Sequence, residues 1–368
     1  MAKVFLWFTT TLLCLVLGLG LILQLNHTKL QEQQSIAAQF EVDKGQSTQA
    51  VIQKLADQKL INCGLCLRVS LRLQALLGAK VGYAQAGDYE FAGDFSSYEV
   101  FNTLVRGDTV KYRITLIAGL TLDKWLLKLW AHPQIKKTLN VSADRATLYP
   151  ALKKAFNLQA ANPEGLFLPE TYEFDKNTSE IKILKRAHNL MNKTLEKAWD
   201  QRGTTIPLKT AYEALILASI IEKETGVPQE RPLISGVFTN RLRKNMRLET
   251  DPTVIYGIAE YDGNITRNHL KTKTAYNTYQ MTGLPPTPIA APSRAAVFAA
   301  VKPKTTEALF FVAKGDGSHQ FSTTYAEHKA AIKAYQLKLR ENYRSSPQSI
   351  ESDISKSKAS ANADLPKE

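Results

Sequence analysis

The sequence predicts an α+β protein in three parts: an N-terminal transmembrane helix, a small α+β module and a larger mixed α+β domain. Three observations predict it. Val4 to Asn26 is a run of 23 residues without a formal charge, long enough to span a bilayer with some tilt. Short strand-like runs enclose helical periodicities between about Phe40 and Arg113. A longer alternation of helical and strand-like stretches follows from Lys111 to about Tyr335. A chain of 368 residues with 44% hydrophobic and 22% charged residues has room for one large or two modest domains behind an anchor.

The expected boundaries are residues 1–3 as a cytoplasmic start, 4–26 as the span, 27–39 as a linker, 40–113 as the module, 114–336 as the larger domain and 337–368 as a disordered tail. A cleaved signal peptide usually has a shorter apolar core, and no Ala-x-Ala site follows Leu23. Leu13 stands where a lipoprotein cysteine at Cys14 would need a small residue. The short basic start, Lys3 and the terminal amine, followed by a large globular portion, favours a single-pass protein with its N-terminus inside and its bulk outside. Gln31, Gln33 and Gln34 suggest a polar stalk. In the module, Phe40-Glu41-Val42 reads as a strand, Ala50 to Leu55 and Leu67 to Leu77 as helices, Gly87 to Phe91 as a strand and Tyr98 to Val105 as a helix. In the larger domain a strand at Tyr112 to Ile117 precedes a helix at Leu122 to Trp130. Loop and edge strand follow at Glu164 to Tyr172. Helices are expected at Ile181 to Trp199, Ala211 to Ile221 and about Glu230 to Arg243. The Ser- and Lys-rich tail has no apolar periodicity.

A net charge of +13 with scattered Lys and Arg suits residence beside anionic lipid or an anionic cell-wall polymer, and no nucleic-acid partner is expected. Cys63-Gly64-Leu65-Cys66 is a lone Cys-x-x-Cys without the second pair that zinc needs, and a local disulfide is the modest interpretation. The six histidines show no H-x-x-x-H spacing, so no metal or other cofactor is expected.

The segment Ser219-Ile220-Ile221-Glu222-Lys223-Glu224-Thr225 carries the chemistry. Thr210 and Glu213 form a capping box that starts a helix, and Ala211 to Ile221 holds almost nothing polar except Glu213 and Ser219. Leu215, Ala218, Ser219 and Glu222 share one stripe, and Gly226 and Pro228 end the helix. Glu222 is therefore expected on or beside the buried face of the last turn, where burial and the helix dipole disfavour charge. A carboxylic acid held protonated is what a general acid for glycosidic-bond cleavage requires. Glu224 and Lys223 read as a solvated surface pair.

Downstream lie Asp251-Pro252-Thr253-Val254-Ile255-Tyr256-Gly257, Tyr276-Asn277-Thr278-Tyr279 and Gly283-Leu284-Pro285-Pro286. Together with the Glu222 block, these segments resemble the endolytic murein transglycosylases, the YceG-like (MltG) family, and the resemblance covers anchor, module and larger domain. It implies a LysM-like module near 40–113 and a catalytic residue at Glu222. It also implies cleavage within peptidoglycan glycan strands at the MurNAc–GlcNAc bond, leaving 1,6-anhydro-MurNAc ends and ending the elongation of nascent strands. The implied partners are glycan strands, the membrane and penicillin-binding peptidoglycan synthases.

Tyr276, Asn277 and Tyr279 are the expected sugar contacts. Asp251 is expected to fix its own turn before Pro252 at the site's edge. Glu249 stands where the family usually has Gln, which makes it a substrate-side candidate and the nearest second carboxylate for a hydrolase. Two other function classes are weighed. A non-catalytic peptidoglycan-binding scaffold recruiting synthases fits the anchor and the module but has no need for a buried acid. A penicillin-binding acyltransferase fails because Ser219 and Lys223 are four apart rather than three.

Overall fold

The computed structural model describes residues 2–336 except Ala161 and Glu260; of residues 2–6, 8–16 and 19 it describes the backbone alone. The expected tail at 337–368 lies outside the described residues. Two compact units divide the chain. Among the described residues, one comprises 2–113 with 173–178, the other 114–172 with 179–336.

The first unit runs α1 (Ala2–Gln31), β1 (Gln33–Val42), α2 (Thr48–Asp57), α3 (Gly64–Leu76), β2 (Gly87–Ser96) and α4 (Ser97–Arg106). β1 and β2 pair antiparallel from Gln33↔Ser96 to Val42↔Gly87. Alternation along them turns Ile36, Phe40, Tyr89 and Phe91 inward, against Val51, Ile52 and Leu55 of α2, Leu67 and Leu71 of α3, and Val100, Phe101 and Leu104 of α4. Helix starts are capped by side chains: Ser47 accepts from the Ala50 N–H, and Ser96 and Glu99 form a reciprocal capping box. Cys63 and Cys66 are joined by a disulfide at the start of α3.

Two expectations are corrected here. Residues 27–39 are not a linker: α1 runs to Gln31 and β1 begins at Gln33. Gln31 and Gln33 occupy outward positions of helix and strand, Gln34 is half-buried at the edge of the inward face, and Leu30 and Ile36 enter the core. The expected span at 4–26 forms part of α1, and most of its side chains lie outside the described residues. Among the described residues no helix is long and apolar enough to cross a membrane.

The second unit begins within β3 (Tyr112–Thr115) and continues through α5 (Leu122–Ala131), β4 (Ile135–Lys136), α6 (Arg145–Phe156), β5 (Thr171–Phe174), β6 (Thr178–Ser179), α7 (Glu180–Asp200), α8 (Ala211–Glu224), α9 (Arg231–Arg243), α10 (Asp251–Gly257), α11 (Arg267–Lys271), α12 (Arg294–Val301), β7 (Phe310–Ala313), β8 (His319–Ser322) and α13 (Tyr325–Tyr335). Its strands pair two by two, β3 with β5, β4 with β6, and β7 with β8. The core is helical, with α8 packed against α7, α9, α10 and α12. Every residue from Ala214 to Ile221 is buried, so α8 is enclosed on all sides as its all-apolar sequence requires. Ala296, Val297, Ala299 and Ala300 give α12 a small-residue surface that lets it approach closely. Thr210 caps α8 by accepting from the Glu213 N–H, whereas Glu213 reaches the Lys209 N–H rather than that of Thr210, so the expected box is half formed.

Candidate active site

Two polar side chains on one stripe of α8 hold a segment that lies far away in sequence. The Ser219 hydroxyl donates to the Ile216 carbonyl at 2.7 Å and accepts from the Ile289 N–H at 3.0 Å. One turn later, Glu222 Oε2 accepts from the Ser293 N–H at 3.0 Å and from the Ser293 hydroxyl. That same hydroxyl accepts from the Ala296 N–H and so caps α12. On its other oxygen Glu222 meets Arg231 Nη2 at 3.4 Å, and its side chain is 8% exposed. A third segment closes in at Gly119, where an added Cβ would lie 3.9 Å from Glu222 Cγ. The Gly119 N–H donates to the Ala291 carbonyl at 2.8 Å, tying that loop to the 289–293 segment.

Burial of Glu222 agrees with the sequence, but the donors around it were not legible there. An ionised carboxylate needs such donors once water is excluded. The Nε of Arg231 is buried and has no hydrogen-bond partner among the described residues.

Glu224 corrects an expectation. It is partly covered rather than a solvated partner of Lys223, and it accepts a hydrogen bond from the Thr250 hydroxyl. Burial, with a contribution from Asp251, pushes its carboxyl up to about 7, against the Thr250 bond and the charges of Arg241 and Lys223. Its folded-state value lies above the usual 4.5, so the folded protein holds this proton more tightly than the unfolded chain. Stability from this group is therefore fullest below about 4.5 and is lost as pH rises towards about 7. Glu224→Gln removes the titration, so its thermal midpoint is expected to gain on wild type from pH 4.5 to pH 8. A gain that shrinks over that range in paired melting curves would contradict the assignment.

The expected substrate-side residues fall into distinct roles. Asp251 opens α10 and accepts from the Tyr279 hydroxyl at 2.7 Å, while the Thr250 N–H donates to Thr278 Oγ1. The Asp-Pro-Thr and Tyr-Asn-Thr-Tyr blocks are thus one locked substructure. Asn277 lies inside it with no exposure. Its amide donates to the carbonyls of His269, Leu270 and Thr272, and its oxygen accepts from the Tyr279 N–H. These bonds use the whole side chain, so Asn277 shapes the loop and offers nothing to a sugar. Glu249 adopts a left-handed backbone with φ of 50° and turns its carboxylate to Arg241 at 3.1 Å. Glu222 instead faces Arg231 and Ser293, so each carboxylate has its own cation.

Tyr276 belongs to an aromatic group that sequence inspection did not assemble. Its ring packs edge-to-face on Tyr256 with centroids 5.0 Å apart, and the Arg145 guanidinium covers the Tyr256 ring at 4.3 Å. The Tyr276 hydroxyl bonds Thr287 Oγ1 at 2.8 Å, and Asn162 donates to the same atom at 3.1 Å. Thr287 therefore links this group to the segment that ends at Ser293. Behind it Glu164 is fully buried, accepting from the Tyr149 hydroxyl at 2.5 Å and from the Leu122 N–H that starts α5. Burial pushes the Glu164 carboxyl up to about 7, but its enclosure gives it a capping role with no path to a ligand. Among the described residues no group of three or more His, Cys, Asp or Glu could hold a metal ion.

Known proteins share this architecture. The sequence model of the YceG-like family matches residues 40–334. An endolytic murein transglycosylase of Bacillus subtilis (strain 168) is 31% identical over 264 residues, covering 68% of this chain and 73% of that protein. An endolytic murein transglycosylase of Streptococcus pneumoniae serotype 2 (strain D39 / NCTC 7466) is 24% identical over 318 residues, and the match spans 56% of its length. The crystal structure of a yceG-like protein from Listeria monocytogenes is 26% identical with a TM-score of 0.50, covering 80% of this chain and 98% of that one. The chain belongs to the YceG-like family.

Proposed function

We propose that this protein is a membrane-anchored endolytic lytic transglycosylase, a lyase that cuts MurNAc–GlcNAc bonds within nascent peptidoglycan strands and ends their elongation. The observation that carries this is Glu222 at the closed end of a buried helix, gripped by Ser293 and Arg231, within the block that resembles the family's catalytic segment. Glu222 carries the reacting proton. It protonates the glycosidic oxygen as the C1–O bond breaks, with positive charge building at MurNAc C1. The substrate's own N-acetyl group or neighbouring neutral dipoles offset that charge. The C6 hydroxyl then attacks C1 and gives its proton back to Glu222, so no water is consumed and the new end is 1,6-anhydro. The Ser293 and Arg231 donors suit the half of this cycle in which Glu222 is ionised. Tyr276 and Tyr279 contact the sugars.

In this proposal the uncharged run at 4–26, helical within α1, anchors the protein in the inner membrane with the globular units in the periplasm. The Cys63–Cys66 disulfide suits that oxidising compartment. The first unit acts as a LysM-like module that holds glycan or a synthase partner.

Incubation of the full-length protein with purified glycan strands is expected to release fragments with anhydro ends, read by mass spectrometry. Absence of any fragments would favour a binding scaffold. Glu249→Gln tests the second carboxylate in the same assay. Because Glu249 is committed to Arg241, the variant is expected to stay within about threefold of wild type, as for substitutions outside the proton-transfer machinery, and to yield the same anhydro ends. Loss of activity in that variant would assign Glu249 a catalytic part.

A further inference from the structure

We propose that the outer face of α3 lies on the surface of the lipid bilayer from which α1 emerges, so that the first unit rests on the membrane. The proposal builds on the assignment of α1 as anchor. The inner side of α3, Gly64, Leu67 and Leu71, is buried in the core of its unit. Its outer side is a stripe of exposed apolar residues, Leu65, Val69, Leu73 and Leu76, spaced one helical turn apart. Leu77 and Tyr83 extend it, and Leu76, Leu77 and Tyr83 are 83%, 79% and 81% exposed. Outside α1, the other large apolar side chains exposed among the described residues are Leu127, Leu190, Tyr261 and Tyr325, which are scattered along the sequence. Single exposed apolar residues need no explanation, but a contiguous stripe does.

Charge and position select lipid as the occupant. No Asp or Glu occurs between Asp57 and Asp88, whereas Lys59, Arg68, Arg72 and Lys80 do. An apolar helix face bordered by cations matches an anionic bilayer surface, with leucines entering the acyl boundary and Arg and Lys meeting headgroups. The position follows from α1. The uncharged run ends at Asn26, whose side-chain amide donates to the Cys66 carbonyl in the first turn of α3 at 3.2 Å. Leu30 of the same helix enters the core beside Leu67 and Leu71. The helix that leaves the bilayer is therefore packed directly on α3, within a turn of the expected lipid boundary.

The test places the full-length protein in nanodiscs of phosphatidylglycerol and phosphatidylethanolamine doped with a phospholipid carrying a photoactivatable acyl chain, with cross-linked peptides mapped by mass spectrometry. Cross-links are expected in α1 and in residues 65–77. The double variant Leu76→Glu, Leu77→Glu, at two well-exposed positions where folding tolerates a charge, is expected to lose the α3 cross-links by about tenfold while keeping those in α1. Its thermal midpoint and strand cleavage in detergent should match wild type. Cross-links in α1 alone, or α3 linked to a second protein copy instead of lipid, would overturn the proposal. Absence of lipid cross-links from α1 would remove the anchor on which it builds, a separate failure.

Discussion

Replacing Glu222 by Gln is expected to lower strand cleavage about 10²–10⁴-fold, the usual loss when a general acid is removed. The amide has the same shape and keeps an oxygen for the Ser293 N–H and hydroxyl. It cannot release a proton to the glycosidic oxygen or take one from the C6 hydroxyl. Losing the charge also leaves Arg231 without its anion, which costs about 1–3 kcal/mol of stability for a largely covered partner. The fold should survive that loss, so activity measured well below the thermal midpoint separates chemistry from unfolding. Ser293→Ala is the informative control, because it removes one of the bonds that hold Glu222 but leaves the proton in place. If Glu222 acted only as a structural tie, the two variants would lose activity to similar extents. The proposed chemistry expects the Gln variant to be far more damaged.

A second large effect is expected at Gly165, which sits in a left-handed conformation with φ of 76°. A Cβ there would lie 2.5 Å from the Cβ and 2.8 Å from the Cγ of Pro288, closer than carbon atoms approach. Left-handed backbone costs a non-glycine residue about 1–2 kcal/mol, and overpacking against a fixed ring adds about 1–3 kcal/mol. Gly165→Ala should therefore destabilise the protein by about 2–5 kcal/mol, read as a fall in thermal midpoint of about 5–15 °C for a unit of this size. Pro288 lies between Thr287, which binds Tyr276 and Asn162, and Ile289, which binds Ser219. Strain at Gly165 is thus transmitted into the segment that ends at Ser293, and activity should fall below what the remaining folded fraction explains. A midpoint within 2 °C of wild type would contradict the close packing of the two loops.

The parts of the site that lie within one helical turn were legible in the sequence. Thr210 marked the start of α8, the unbroken apolar run marked its enclosure, and spacing put Ser219 and Glu222 on one stripe. What those two residues grip was not legible. Ser293 is 71 residues beyond Glu222, and no local period links a serine after Ala-Ala-Pro to a distant carboxylate. Arg231 lies only nine residues on, yet the turn at 226–230 decides whether it points back. Glu224 was misread for a related reason, because α10 covers it and the Thr250 contact comes from outside its own helix. Asn277 had the residue type of a sugar ligand, but three backbone carbonyls within eight residues claim its amide. In the fold, α6 carries Pro150 in its interior, a residue that works against reading a helix from sequence. The second half of the larger unit offered loops of Tyr, Asn, Thr and Gly whose mutual bonds arise only after folding.

One measurement bears most directly on the single-acid mechanism. Glycan strands are digested by the wild-type full-length protein in water enriched in oxygen-18, and the masses of the new MurNAc ends are read. If Glu222 works without water, the ends are anhydro and carry no heavy oxygen. Reducing ends that incorporate oxygen-18 would mean that water attacks C1, that a second group activates it, and that the protein is a hydrolase.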